Sequence, residues 1–207
     1  MYRFLRAVAR PFLRIIYPTT VFGKEKFISD SAVICCNHFA SSDVLVVADH
    51  FCEKELNVLA KAELFKGKFS SWFLKKAGAI KVNRDTPELS MHKEVFRRLK
   101  AGKQILIFPE GTRNRSGGSD MGALKAGAAF YALKAQVPII PMMFHHKGEK
   151  CKRNYLIVGD PIYFDDLCGE NVRAAKEQAT AILQARMEAL QDELDRLVEE
   201  RREKGKK

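Results

Sequence analysis

Short apolar runs alternate with longer stretches of helical spacing along this chain. Ala32 to Cys36 is a continuous apolar run, β-branched at its start, which is the pattern of a strand buried on both faces. Thr20 to Phe27, Asn57 to Ala60, Ala79 to Val82, Gln104 to Phe108, Pro138 to Phe144 and Tyr155 to Val158 read as further strands. Helices are predicted between them. Val44 to Phe51 follows the N-cap candidates Ser41, Ser42 and Asp43. Glu63 to Lys76 carries the sole tryptophan, Trp72, and Gly78 breaks the chain after it. Thr86-Pro87-Glu88 opens a helix with proline at its first position, ending near Ala101-Gly102. Ala123 to Ala135 is a small-residue helix. Asn171 caps a long terminal helix whose apolar positions, from Val172 through Ala179 and Leu190 to Leu197, keep a three-to-four spacing. Buried strands alternating with helices predict an α/β fold: a single domain with a largely parallel mixed sheet flanked by helices. No internal repeat or linker divides the chain.

The first 18 residues form a separate pattern, MYRFLRAVARPFLRIIYP. At about 100° per residue, Arg3, Arg6, Arg10 and Arg14 share an arc of about 80°. Tyr2, Phe4, Leu5, Val8, Phe12, Leu13, Ile15 and Ile16 take the opposite half, and Pro11 predicts a kink. Such a helix either lies in a membrane interface, with its arginines reaching anionic headgroups, or packs on the protein's own core. The absence of any acidic residue before Glu25 favours the membrane. The arginines within the apolar part exclude a signal peptide. No stretch reaches the length of about 18 to 20 apolar residues that would span a bilayer.

Composition sharpens this picture at two points. The 207 residues carry a formal net charge of +11, which calls for an anionic partner. Nucleic acid would account for it, but no helix-turn-helix, RRM or zinc-finger pattern is present. The five cysteines (Cys35, Cys36, Cys52, Cys151, Cys168) include no CxxC pair and read as reduced thiols of a cytosolic protein. Nothing in the pattern asks for a metal or other cofactor. The doublet His145-His146 lacks a third ligand at useful spacing and reads as a strand end, and His50 and His92 read as surface or packing residues.

Polar residues cluster where predicted strands end, the place at which open α/β sheets bind ligands. Asn37-His38 follows one strand, with Asp43 five residues beyond the histidine. Asn83-Arg84-Asp85 follows another, and Pro109-Glu110-Gly111-Thr112-Arg113 a third; Val137 to Pro141 opens a fourth. Two residues five apart on one helix point about 140° away from each other. His38 and Asp43 therefore meet only if the histidine lies in a loop and the aspartate in the first helical turn. No GxSxG elbow is present, and Ser41 and Ser42 sit where hydroxyls cap helices.

NHFASSD, GAIKVNR, FPEGTR and VPIIP, in this order, resemble the four blocks of the glycerolipid acyltransferase family, in particular bacterial 1-acylglycerol-3-phosphate acyltransferases. AKAEL (60–64) and LKAGA (124–128) match flanking pieces, so the resemblance covers roughly residues 20–165. It implies the glycerol-3-phosphate acyltransferase-like fold, with residues 1–18 as the membrane-interface helix, 19–170 as the acyltransferase domain, and 171–207 as a terminal helix and basic tail within that domain. It also implies transfer of a fatty acyl group from acyl-CoA or acyl carrier protein to lysophosphatidic acid, at the cytoplasmic face of the cell membrane. His38 would be the general base and Asp43 its orienter. Arg84 and Arg113 would seat the phosphate; Glu110, Gly111 and Thr112 would hold the glycerol phosphate, and Lys61 and Lys125 would add positive potential. VPIIP would shape the floor of the site, its prolines ending the strand. Ala40 stands where the family carries a serine. Glycerol-3-phosphate or another lysophospholipid is the alternative acceptor, and a catalytically silent lipid-binding protein the alternative class.

Overall fold

The computed structural model describes residues 2–51, 55–83, 89–114, 121–167 and 171–205, without the side chains of Tyr2, Arg3 and Leu5. Among these residues seven strands form one sheet: β1 (Thr19–Phe22), β2 (Val33–Cys36), β3 (Leu56–Lys61), β4 (Ala79–Val82), β5 (Gln104–Ile107), β6 (Ile139–Phe144) and β7 (Asn154–Val158). Their spatial order is β1-β7-β6-β2-β5-β3-β4. All neighbours pair in parallel except β6 and β7, which are antiparallel. The sheet is therefore mixed and mostly parallel, as the alternating pattern predicts. β2 lies at its centre with all four residues buried, because both faces are covered.

Helices α2 (Ser42–Phe51), α3 (Lys68–Lys76), α4 (Leu89–Lys100) and α5 (Gly127–Ala135) connect these strands. Right-handed crossovers place α2 and α3 on one face and α4 and α5 on the other. The two cores agree with this division. Val46, Val47 and Phe51 of α2 pack with Ile34, Leu106 and Ile140 on one side. Val95, Leu99 and Ala132 pack with Val33, Ile105 and Ile139 on the other. The long α6 (Val172–Lys204) joins this second layer through Ala175, Ala179, Leu183, Met187, Leu190, Leu194 and Val198. Its cap is the expected one: the Asn171 side chain accepts from the Arg173 N–H at 2.9 Å.

Four boundaries differ from the sequence reading. β1 ends at Phe22 because Gly23 adopts φ +65° and leads into a 3-10 turn. The segment Glu63 to Lys76 is divided at Gly67: a 3-10 turn, Ala62–Phe65, precedes α3. α5 starts at Gly127 rather than Ala123. Pro141 lies inside β6, as the apolar run 138–144 predicts, so the second proline of VPIIP does not end the strand as the family block implies. It stands at the end of the ladder with β7, where its carbonyl still accepts from the Gly159 N–H at 2.9 Å, so only the missing donor is lost. The Thr86-Pro87-Glu88 helix start lies outside the described residues, as do Cys52 and Cys168.

Helix α1 (Tyr2–Ile16) packs on α2 with its arginine side inward. Arg10 and Arg14 each place Nε 3.1 Å from the carboxylate of Asp49, which is 2% exposed, and Arg6 donates to the Asp49 carbonyl. This corrects the expectation that these three arginines reach for headgroups: a buried carboxylate must be compensated, and they are what compensates it. Phe4, Val8, Phe12 and Ile15 are left facing outward, half to two-thirds exposed. Arg3 lies outside what is described.

On the opposite layer, Glu94 ties α4 to the sheet. Arg97 donates two bonds to its carboxylate and Arg98 one, all at 2.7 Å. Arg98 also reaches Asn57 on β3 and the carbonyl of Gly78 before β4. The hydrogen bonds from Arg97, followed by those from Arg98, hold the Glu94 carboxyl down at about 2. A depressed carboxylate stabilises the fold above its ordinary value and loses that contribution as pH falls through the folded value. Glu94→Gln should therefore lower stability at pH 7 by about 1 kcal/mol. The deficit should shrink between pH 4.5 and about 2, as read from urea unfolding of both proteins.

Candidate active site

The strand-to-helix turn after β2 is built around one carboxylate. Asp43, the second residue of α2, is buried, and its Oδ2 accepts the backbone N–H groups of Phe39 and Ala40, each at 2.8 Å. The same oxygen lies 3.0 Å from His38 Nδ1. A carboxylate oxygen already accepting two N–H bonds is an acceptor at the third contact, so Nδ1 carries the ring proton. Nε2 is then the lone-pair nitrogen, and Arg113 Nε donates to it at 3.4 Å. His38 is in the loop and Asp43 in the first turn, the one arrangement in which residues of this spacing meet. The Ala40 backbone supplies a bond at the position where the family's serine would stand.

Packing fixes the ring as well. Phe108 stacks on the imidazole, with centroids 3.8 Å apart and planes 17° from parallel. Behind it, the Asn37 amide donates to the Phe144 carbonyl and accepts the Phe144 N–H, both at 2.8 Å, which joins the ends of β2 and β6. Phe108 and Asn37 were not among the predicted site residues. An apolar residue at a strand end looks like any core residue, and Asn37 meets its partner 107 positions away.

The loop after β5 closes over this turn. Glu110 Oε1 accepts the His38 N–H at 3.2 Å, and the Gly122 N–H also binds this carboxylate. Burial, only partly offset by these bonds, raises the Glu110 pKa above the usual carboxylate value. Both partners are backbone amides, and the bond to the His38 N–H ties this loop to the histidine turn. The Asn114 N–H adds a bond of 2.7 Å to the His38 carbonyl. Gly111 has φ +72°, and a Cβ there would come within 2.8 Å of the Lys125 side chain. The left-handed conformation is what favours glycine here, since the flexible end of the lysine could move aside. Arg113 is exposed and also donates to the Ser41 hydroxyl at 2.7 Å. Thr112 is exposed beside it.

Lys61 is exposed at the end of β3, on the sheet edge where the other groups gather. Arg84 lies outside the described residues. His145 sits 3.3 Å from Asp195 on α6, and His146 binds the Lys147 carbonyl, so the doublet points to two different partners. No group of three or more His, Cys, Asp or Glu converges among the described residues. A cavity of about 420 Å³ lies apart from His38, between β4 and α4, lined by both apolar and charged side chains including Phe65, Ile80, Met91 and Arg98.

A family model described as Acyltransferase matches residues 18–145. The chain is 30% identical over 203 residues to the 1-acyl-sn-glycerol-3-phosphate acyltransferase of Bacillus subtilis, covering 95% of this chain and all of that protein. It is 35% identical over 139 residues to the protein of the same name from Borreliella burgdorferi, covering 66% of this chain and 54% of that one. It thus spans one relative in full and about half of the other. The crystal structure of PlsC, the 1-acyl-sn-glycerophosphate (LPA) acyltransferase of Thermotoga maritima, shares the fold with a TM-score of 0.66 at 18% identity. That match covers 95% of this chain and 78% of the other.

Asn37→Ala would leave the buried N–H and C=O of Phe144 without their partner. At about 1–3 kcal/mol for each of the two unsatisfied groups, the variant should lose about 2–6 kcal/mol of stability. Chemical denaturation checks it; a loss below 0.5 kcal/mol, roughly what a surface substitution costs, would show that the amide clamp is not needed.

Proposed function

The chain belongs to the acyltransferase family, and from that premise we propose that it transfers a fatty acyl group from an acyl thioester to the sn-2 hydroxyl of 1-acylglycerol-3-phosphate, forming phosphatidic acid. The observation that carries this reading is His38 Nε2, a lone-pair nitrogen on a ring fixed at Nδ1 by Asp43 and held at the carboxyl edge of the sheet. The names of the relatives supply the substrate class; the residues supply a mechanism that suits it.

An alcohol is a weak nucleophile until its proton is removed in the transition state. In the proposed reaction the acceptor hydroxyl donates its hydrogen bond to Nε2. The oxygen attacks the thioester carbonyl as the proton passes to the imidazole, and a C–O bond forms. Asp43 stabilises the imidazolium through Nδ1–H and keeps the ring in place. The tetrahedral intermediate collapses with cleavage of the C–S bond, and the proton returns from Nε2 to the departing thiolate. Acyl-CoA and acyl carrier protein are the two proposed donors. Either thioester delivers the same carbonyl.

Arg113 is the proposed phosphate seat. Its guanidinium rests against Nε2 and Ser41 and is otherwise exposed, so an acceptor phosphate can draw it into a bidentate pair. That exchange would uncover Nε2 as it brings the hydroxyl near. Lys125, packed on Gly111, and Lys61 contribute positive potential, and Arg84 is a second proposed phosphate ligand. Glu110, Gly111 and Thr112 shape the loop against which the glycerol phosphate lies.

The proposed location is the anionic cytoplasmic face of the cell membrane, bound peripherally. No helix among the described residues is long and apolar enough to cross a membrane. The outward face of α1 supports the surface reading: with Arg6, Arg10 and Arg14 engaged at Asp49, Phe4, Val8, Phe12 and Ile15 form an exposed stripe of about 80° that nothing among the described residues covers.

His38→Ala should lower kcat with lysophosphatidate and acyl-CoA by about 10²- to 10⁴-fold while circular dichroism and thermal unfolding stay unchanged. Wild-type turnover in this variant would refute the base assignment. Arg113→Ala should chiefly raise KM for lysophosphatidate, by about tenfold or more for a lost charged hydrogen bond. A KM that moves only for the acyl donor would reassign the arginine. Deleting α1 would strand the Asp49 carboxylate, so its membrane role is tested by replacing Phe4, Val8, Phe12 and Ile15 with serine. Sedimentation with phosphatidylglycerol vesicles should weaken while turnover on detergent-dispersed acceptor persists.

A further inference from the structure

Helix α3 is built inside out. Its inward positions are Ser70, Ser71, Leu74 and Ala77, all only half-buried, and none of its residues is fully buried. Phe69, Trp72 and Phe73 point the other way, and Phe69 is 76% exposed. At 100° per residue these three rings lie within an arc of about 100°. They also contact one another, with Phe69 centroids 6.1 Å from Trp72 and 6.4 Å from Phe73. A helix whose only purpose was to cover the sheet would put aromatic rings in and serines out. Serines facing the protein and a clustered aromatic face outside mean that the apolar partner lies outside this chain.

Charge identifies that partner. Lys66 and Lys68 precede the rings, Lys75 and Lys76 follow them, and no acidic residue occurs between Glu63 and Asp85. Aromatic side chains framed by lysines suit the boundary between headgroups and acyl chains of an anionic bilayer, where rings enter and ammonium groups stay at the surface. Topology agrees. Right-handed crossovers put α3 on the same face of the sheet as α2, whose outer side carries α1 and its exposed apolar stripe. The 3-10 turn leading into α3 exposes a further apolar side chain, Leu64.

We infer that the Phe69–Trp72–Phe73 face of α3, with its flanking lysines, is a second anchor on an anionic lipid bilayer, distinct from α1. The inference rests on the membrane-surface reading above and adds to it a second point of contact. Two anchors on one face fix the tilt of the domain, where a single helix would let it swing. α3 begins near the carboxyl ends of the strands, because β3 delivers the chain there and Lys61 is its last residue. The second anchor therefore holds the site edge of the sheet close to the lipid that carries the acceptor.

Trp72 is the only tryptophan in the chain, so its emission reads this face directly. Full-length protein is titrated with vesicles of phosphatidylglycerol and phosphatidylcholine, and sedimentation is measured on the same samples. The expected result is binding accompanied by a blue shift of Trp72 and protection from iodide quenching. The shift should persist at saturating lipid when Phe4, Val8, Phe12 and Ile15 are serine. Phe69→Ser with Phe73→Ser should lower vesicle affinity by about tenfold or more and leave turnover on detergent-dispersed acceptor unchanged. If the protein sediments with vesicles while Trp72 stays exposed, α3 is no anchor and the α1 reading stands. If it does not sediment at all, both fail. A blue shift that grows with protein concentration in the absence of lipid would give the face to a second copy of the chain and overturn the inference.

Discussion

Everything proposed for this site depends on the three N–H groups gathered by one oxygen of Asp43. Two come from the backbone of Phe39 and Ala40, and one from the ring of His38. The backbone pair fixes the turn between β2 and α2, and the turn in turn delivers the ring. A buried carboxylate without these donors would be costly, so fold and site require the same contact. The remaining supports act on this unit from outside. Phe108 fixes the ring plane, Asn37 fixes the strand end, and Glu110 and Asn114 bind the main chain of His38 itself. The loop from β5 thus both restrains the base and carries Arg113.

Two helices on one face have reversed amphipathicity, and the cause is different in each. In α1 the inward side is cationic because Asp49 is buried beneath it. In α3 the inward side is mostly small because the helix rests on the edge strand β4 and on the turn before it, with little core to complete. Both arrangements give up apolar burial that this chain could have used. Another apolar medium receiving the rings would offset that loss, and the bilayer is the medium proposed for both helices.

Sequence carried the architecture well where burial is two-sided. Ala32 to Cys36 is apolar at every position because both faces are covered, and Asn171 caps α6 by a local bond that needs no tertiary knowledge. The His38–Asp43 spacing was also legible, since helical geometry leaves one way for the two to meet. Periodicity failed at questions of direction. It separated the two sides of α1 correctly but not which one faces the protein, because Asp49 lies 35 residues beyond Arg14. It also passed over Gly67, whose turn splits one apparent helix. Phe108 and Asn37 were hidden for a related reason: each acts through a partner brought by the fold.

The central claim is that Asp43 holds His38 in the tautomer that leaves Nε2 free to act as base. Steady-state kinetics of Asp43→Asn with lysophosphatidate and acyl-CoA test it most directly. An asparagine retains shape but supplies no negative charge for the imidazolium and can turn its amide toward the ring. The account predicts a fall in kcat of about 10²-fold or more, with KM for the acceptor little changed. An unchanged kcat, or a defect confined to KM, would contradict it.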